Sequence, residues 1–117
     1  PSELSGGMLK RAGIARALAL ENDLLFLDEP SAGLDPVTAS ELDDLLLTLN
    51  QALGLTLVVV THELESIYRI GTRCILLDRD TCGIIAEGDP RVLRDESADP
   101  RVRAFFHRES VAKEVTA

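Results

Sequence analysis

The sequence predicts an α/β fold: a parallel sheet with flanking helices, followed by a β-hairpin and short helices. Short apolar runs alternate along the chain with longer segments whose apolar residues recur at helical spacing. The first two apolar runs are separated by one helical segment, which is the order of a right-handed parallel crossover. Of the 117 residues 45% are apolar and 3% aromatic, so we expect a core of aliphatic side chains.

The first apolar run ends in two acids. Residues 24–27 are four large apolar side chains, which is typical of a strand buried on both faces. Asp28 and Glu29 follow, and Pro30, which has no N–H to donate, ends the pairing. Ligands of open α/β sheets gather beyond the carboxyl ends of strands, so these acids are candidates to hold a hydrated metal ion and orient a water. The alternative is a strand end with two solvated acids.

The helix before this strand is predicted from Ser5 or Gly6 to Leu20. Ser5 suits the N-cap, and Ser5, Gly6 and Gly7 together offer a hydroxyl, free N–H groups and room for a phosphate near the backbone. The alternative for this triplet is an ordinary flexible cap. The apolar face is predicted to consist of Leu4, Met8, Ala12, Ala15 and Ala19.

A second helix is predicted to begin at Asp35 and to end at Gly54. Asp35 suits the N-cap and Pro36 the first helical position, while Gly54 suits a left-handed stop. The buried stripe is predicted to be Leu42, Leu45, Leu46, Leu49 and Leu53.

The second strand is predicted over residues 56–61, which are apolar or β-branched, and His62 follows it. A short helix is predicted over residues 63–70. Because the crossover is parallel, His62 is expected at the same sheet edge as Asp28 and Glu29, where it can bond a phosphate or fix a water. The alternative for His62 is a helix cap or a satisfied polar residue.

The rest of the chain predicts a hairpin and two short helices. The hairpin strands are residues 73–78 and 84–87, joined by a polar turn. Each helix is opened by an Asp-Pro pair, at residues 89–90 and 99–100, and the chain is expected to fray from about Ser110.

The charge balance disfavours a nucleic-acid partner. Twelve basic and twenty acidic residues give a net charge of -8, whereas a nucleic-acid footprint needs a basic face. Nucleotide binding remains compatible with this charge, because it relies on local backbone donors and a metal ion.

Four segments, in this order and spacing, resemble the motifs of ATP-binding-cassette (ABC) ATPases. They are the signature motif (residues 4–7), the Walker B strand with its catalytic glutamate (residues 24–29), the D-loop (residues 31–35) and the switch histidine (His62). The resemblance implies an ABC-type, P-loop NTPase-like fold and the hydrolysis of ATP to ADP and phosphate.

The resemblance also implies a role for each site residue. Glu29 and His62 would be catalytic and Asp28 would hold Mg²⁺, all at the ATP of this subunit. Two ABC domains face each other head to tail. The signature residues Ser5, Gly6 and Gly7 would therefore bind the ATP of a second subunit, and Asp35 would reach across the same interface.

This sequence departs from the family pattern in three ways. Met8 and Lys10 stand where many members carry glutamine, and no G-x-x-x-x-G-K-[ST] phosphate loop occurs. We therefore expect residues 1–117 to be the C-terminal part of one nucleotide-binding domain whose phosphate-loop portion lies upstream.

Within that expected part, the signature helix is residues 4–20, the Walker B, D-loop and switch region is 24–63, and the hairpin and helices are 73–108. The chain alone is expected to show no measurable ATPase activity and to expose apolar surface.

The implied function is ATP hydrolysis that powers transport across or between membranes. Residues 6–8 and 99–106 resemble the ATPases of lipid transporters that work with mammalian-cell-entry (MCE) domain proteins, which implies a phospholipid or related cargo. The implied partners are a second ATPase subunit, a transmembrane permease and an MCE-domain protein, with the ATPase peripheral on the cytoplasmic face of the inner membrane.

Three alternatives stay open: the ATPase of another ABC importer or exporter, a soluble non-transport ABC ATPase, and a regulatory module that binds nucleotide without cleaving it. A soluble ABC ATPase acting on nucleic acid is disfavoured, because the chain has no basic arm or coiled-coil insertion. The regulatory module is disfavoured because Glu29 and His62 are both present.

Overall fold

A computed structural model describes the backbone of residues 6–116 and the side chains of residues 6–108. The elements in chain order are α1 (Gly6–Leu18), β1 (Leu24–Asp28), α2 (Pro36–Leu53), β2 (Thr56–Val60), α3 (Leu64–Ile70), β3 (Cys74–Asp78), β4 (Gly83–Gly88), α4 (Pro90–Glu96) and α5 (Pro100–Thr116). They fall into two compact units, Pro1–Ser66 and Ile67–Ala117.

The first unit contains the predicted parallel crossover. Strands β1 and β2 pair in parallel, with a register that runs from Leu24 opposite Thr56 to Asp28 opposite Val60. The carboxyl ends of both strands therefore lie at one edge, and the residues that follow them, Glu29 and Thr61, emerge side by side.

Helix α2 begins and ends as the sequence predicts. Asp35 caps it by accepting from the Thr38 N–H, and Gly54 ends it at φ 63°. Its buried face includes Leu42 and Leu46, which belong to the core of the first unit. The prediction for Leu53 is wrong: its side chain is 64% exposed, because it lies in the last turn, beyond the elements that cover the helix.

Helix α1 buries a different face from the predicted one. Gly7 and Ile14 are buried, whereas the predicted Met8, Ala12, Ala15 and Ala19 are exposed, and Leu4 lies outside the described residues. Small alanines occur all around this helix, so the alanine pattern does not determine which face is buried. The large side chain of Ile14 determines it. The helix also ends earlier than predicted, at Leu18.

Strand β1 is buried on one face, so the prediction of burial on both faces is wrong. Leu25 is 8% exposed, but Phe26 beside it is 69% exposed. The exposed face continues onto the paired strand with Val58 and Val60. Within the described residues the sheet has these two strands, and their helices cover one side. The expectation of exposed apolar surface is therefore confirmed.

The second unit contains the predicted hairpin. Strands β3 and β4 pair antiparallel, with an irregularity in register between Leu76 and Leu77. The core of this unit includes Val102 and Phe106, whose ring lies 6.2 Å from that of Tyr68. Helix α5 runs to Thr116, and no glycine or proline follows Pro100 to end it earlier. The expected fraying from about Ser110 stays a prediction.

A helix that crosses a bilayer needs about 20 mostly apolar residues. In residues 6–116, no helix combines the required length with such an apolar composition.

We expect Leu46→Ala to lower the free energy of unfolding by about 2–5 kcal/mol, because it leaves a cavity in the core of the first unit. Leu53→Ala on the same helix is the matched control and should change it by less than about 0.5 kcal/mol, since that side chain is exposed. Denaturant unfolding of both variants measures the difference. Equal losses would contradict the assignment of the buried face of α2.

Candidate functional site

Glu29 is held by its backbone at the end of β1. Its N–H donates to the Val60 carbonyl at 2.7 Å, which adds one rung beyond the strand. Its carbonyl accepts from the Ala32 N–H at 3.1 Å and from Lys10 Nζ at 3.4 Å. Its φ is 46°, a left-handed conformation that costs a non-glycine residue of order 1–3 kcal/mol. These bonds keep Glu29 in a conformation that an extended strand would not give it.

The Glu29 carboxylate contacts the histidine predicted to share its edge. His62 Nδ1 lies 2.7 Å from Glu29 Oε1. A carboxylate oxygen accepts and does not donate, so Nδ1 carries the hydrogen of this bond. The other ring nitrogen, Nε2, lies 3.7 Å from Glu63 Oε1, and the imidazole is exposed. The structure therefore brings Glu29 and His62 together.

Thr61 binds the second oxygen of the same carboxylate. Its hydroxyl donates to Glu29 Oε2 at 3.2 Å and accepts from the Glu63 N–H at 3.1 Å. Both carboxylate oxygens therefore have donors from the segment that follows β2. A partly exposed carboxylate held at both oxygens is fixed in direction while it can still meet solvent.

Sequence reasoning missed two of the residues that contact Glu29. The signal for Thr61 was its place directly before His62 at the strand end. Lys10 was noted as a departure from the family pattern, but its distance in the chain from Glu29 gave no sign of a contact.

Asp28 lies at the same edge as Glu29 but presents a separate carboxylate. It ends β1 opposite Val60, and its side chain is exposed. Among the described residues, no group of three or more His, Cys, Asp or Glu side chains converges as a metal site. A single carboxylate of this kind fits Mg²⁺, which proteins bind through one or two carboxylates together with the phosphate oxygens of a nucleotide.

The start of α1 packs against the loop that follows Glu29. An added Cβ on Gly6 would lie 3.0 Å from Leu34 Cδ2, and Gly7 is buried. Glycine at position 6 therefore permits this close approach. Ser5, the third residue of the predicted phosphate-binding triplet, lies outside the described residues.

Asp35 is occupied as a helix cap. Its carboxylate accepts from the Thr38 N–H at 3.1 Å and from the Thr38 hydroxyl. These bonds stabilise the charged form, so the pKa of Asp35 lies below its ordinary value of 3.8, with the Thr38 hydroxyl as the largest cause.

Comparison with known proteins identifies the family. A family model described as ABC transporter matches residues 1–32. The intermembrane phospholipid transport system ATP-binding protein MlaF of Escherichia coli (strain K12) is 48% identical over 107 residues, which are 91% of this chain and 38% of that protein. The chain belongs to the ABC transporter ATP-binding protein family.

Two further ABC proteins support this membership. The glycine betaine uptake system ATP-binding protein YehX of Escherichia coli (strain K12) is 37% identical over 92% of this chain and 34% of that protein. The dimeric structure of a post-hydrolysis state of the ATP-binding cassette MJ0796 bound to ADP and Pi matches 76% of this chain and 37% of that chain, at 37% identity and a TM-score of 0.64. The predicted family and α/β fold class are confirmed, and the chain spans 38% of the length of MlaF.

The cap at Asp35 makes a prediction about pH. Because the folded pKa is lowered, the charged cap stabilises the fold above the ordinary pKa of 3.8, and this stability is lost as the pH falls through the lowered value. Asp35→Ala should therefore be less stable than the natural sequence at pH 7, and the difference should shrink below pH 3.8. Thermal unfolding across this pH range measures it.

The matched control is Asp44→Ala, which removes an exposed carboxylate from the same helix. A difference between Asp35→Ala and the natural sequence that does not change with pH would contradict the charged cap.

Proposed function

We propose that these residues belong to an ABC ATPase that hydrolyses ATP to ADP and phosphate. The strongest support is the contact between Glu29 and His62: Oε1 of Glu29 lies 2.7 Å from Nδ1 of His62. This contact lies at the carboxyl edge of a parallel strand pair. Ligands of α/β sheets bind at this edge. The family membership supports the same reaction.

In the proposed reaction Glu29 acts on the attacking water. Its carboxylate, fixed by Thr61 and His62, orients the water and accepts its proton as the oxygen attacks the γ-phosphorus. His62 holds the carboxylate through Nδ1, and its Nε2 would bond a phosphate oxygen of the bound nucleotide. Mg²⁺ held beside Asp28 would neutralise charge on the phosphates.

The proposed enzyme works as a head-to-tail pair of such domains. Ser5, Gly6 and Gly7 would bind the ATP of the second subunit, and Asp35 would face the same interface. The packing of Gly6 against Leu34 supports this, because it sets Gly6 of the signature motif beside the loop that carries Asp35. The similar MJ0796 cassette is described as dimeric.

The proposed cargo is a phospholipid. The 48% identity to MlaF supports this choice over glycine betaine, whose transport ATPase YehX is 37% identical. We further propose a transmembrane permease and an MCE-domain protein as partners, with the ATPase on the cytoplasmic face of the inner membrane.

We expect Glu29→Gln to lower the ATP turnover of the protein that carries these residues together with its phosphate-binding loop. The amide cannot accept the proton of the water, so a fall of about 10²- to 10⁴-fold is expected, with ATP binding retained. Phosphate release and binding of a fluorescent ATP analogue measure the two quantities.

The control is Glu65→Gln, which neutralises a carboxylate on α3, outside the residues that contact Glu29. It should turn over ATP like the natural sequence. Unchanged turnover in Glu29→Gln would refute the proposed role of this residue.

A further inference from the structure

Asp43 is a buried carboxylate that the proposed reaction does not use. It lies on α2, about two turns after Asp35, and is 4% exposed. Ser66 of α3 is 6% exposed, and its Oγ lies 3.0 Å from Asp43 Oδ1 and 2.9 Å from Oδ2. The Ser66 hydroxyl therefore donates to this carboxylate inside the first unit.

A buried carboxylate is an expensive way to stabilise a core. Removing a charge from water costs several kcal/mol, and well-packed apolar residues of similar size are often as stabilising or more so. Leu42 and Leu46 on the same helix show that this region accommodates aliphatic side chains. The contact of Asp43 with Ser66 is directional, however, and an aliphatic side chain would not fix where the first turn of α3 lies on α2.

The position of the first turn of α3 fixes one end of the short connector that carries His62. Residues 61–63 join β2 to α3, and three residues span at most about 11 Å when extended. The β2 end is fixed by the pairing of Val60 with Asp28. The α3 end is fixed by buried Leu64 and by Ser66. A short connector that is fixed at both ends has few available conformations, so a shift of α3 would also shift His62.

We propose that Asp43 is a positioning residue: through Ser66 it fixes the first turn of α3 and so places His62 against Glu29. This inference rests on the proposed function. Because Asp35 is the N-cap of α2, the contact also joins the helix that follows the residue proposed to face the second subunit to the segment that carries His62.

The test uses the protein that carries these residues together with its phosphate-binding loop. We expect Asp43→Ala and Ser66→Ala each to lower kcat for ATP by about ten- to a hundredfold, with KM changed by less than about twofold, because misplacement of a reacting group affects turnover more than binding. Asp43→Asn should restore most of kcat, since its amide oxygen still accepts from Ser66. Ser66→Ala, the smaller change, provides a folded variant if Asp43→Ala does not fold.

The matched control is Asp44→Ala, which removes the neighbouring, exposed carboxylate and should leave kcat unchanged. A normal kcat in Asp43→Ala and Ser66→Ala, with a lower melting temperature, would assign the pair a purely structural role and overturn the proposal. Loss of kcat in Asp43→Asn equal to that in Asp43→Ala would also overturn it.

A second measurement separates this inference from the proposed function. If the unsubstituted protein that carries these residues together with its phosphate-binding loop hydrolyses no ATP, the proposed function fails. The NMR resonances of the His62 imidazole then decide the positioning role. They should shift in Asp43→Ala and not in Asp44→Ala. Unchanged resonances in both variants would overturn the positioning role.

Discussion

The parallel register of β1 and β2 is the constraint on which the site depends. It sets Asp28 opposite Val60, and the rung from the Glu29 N–H to the Val60 carbonyl extends that pairing by one residue. Residues that follow the two strands then emerge side by side, and Glu29 and His62 meet although they are 33 positions apart. A slip of one residue would turn each side chain to the other face of the sheet and separate them.

The order and limits of the helices and strands could be predicted, because local features of the sequence determine them. Asp35 with Pro36, and Gly54 at the other end, mark the limits of α2 through capping chemistry that depends on few neighbours. The strand–helix–strand order predicts a parallel crossover, because such connections within one sheet are almost always right-handed. These features predicted that Glu29 and His62 share one sheet edge and therefore lie close together.

Burial and backbone detail could not be predicted in the same way. Whether Phe26 is covered depends on elements that pack on the sheet, and its own strand does not reveal them. The left-handed φ of Glu29 is a conformation that glutamate rarely adopts, so only the surrounding bonds explain it. Asp43 sits at a helix position that the apolar pattern does not separate from the exposed Asp44 beside it, and its burial follows from α3.

We propose that Glu29 and His62 act as one unit at this edge. A double-mutant cycle on ATP turnover, with Glu29→Gln, His62→Ala and the double variant, tests it most directly. Residues that act as a unit are strongly non-additive, so the double variant should be no slower than the slower single variant. Additive losses in the logarithm of kcat would show that the two side chains act independently and would contradict the account.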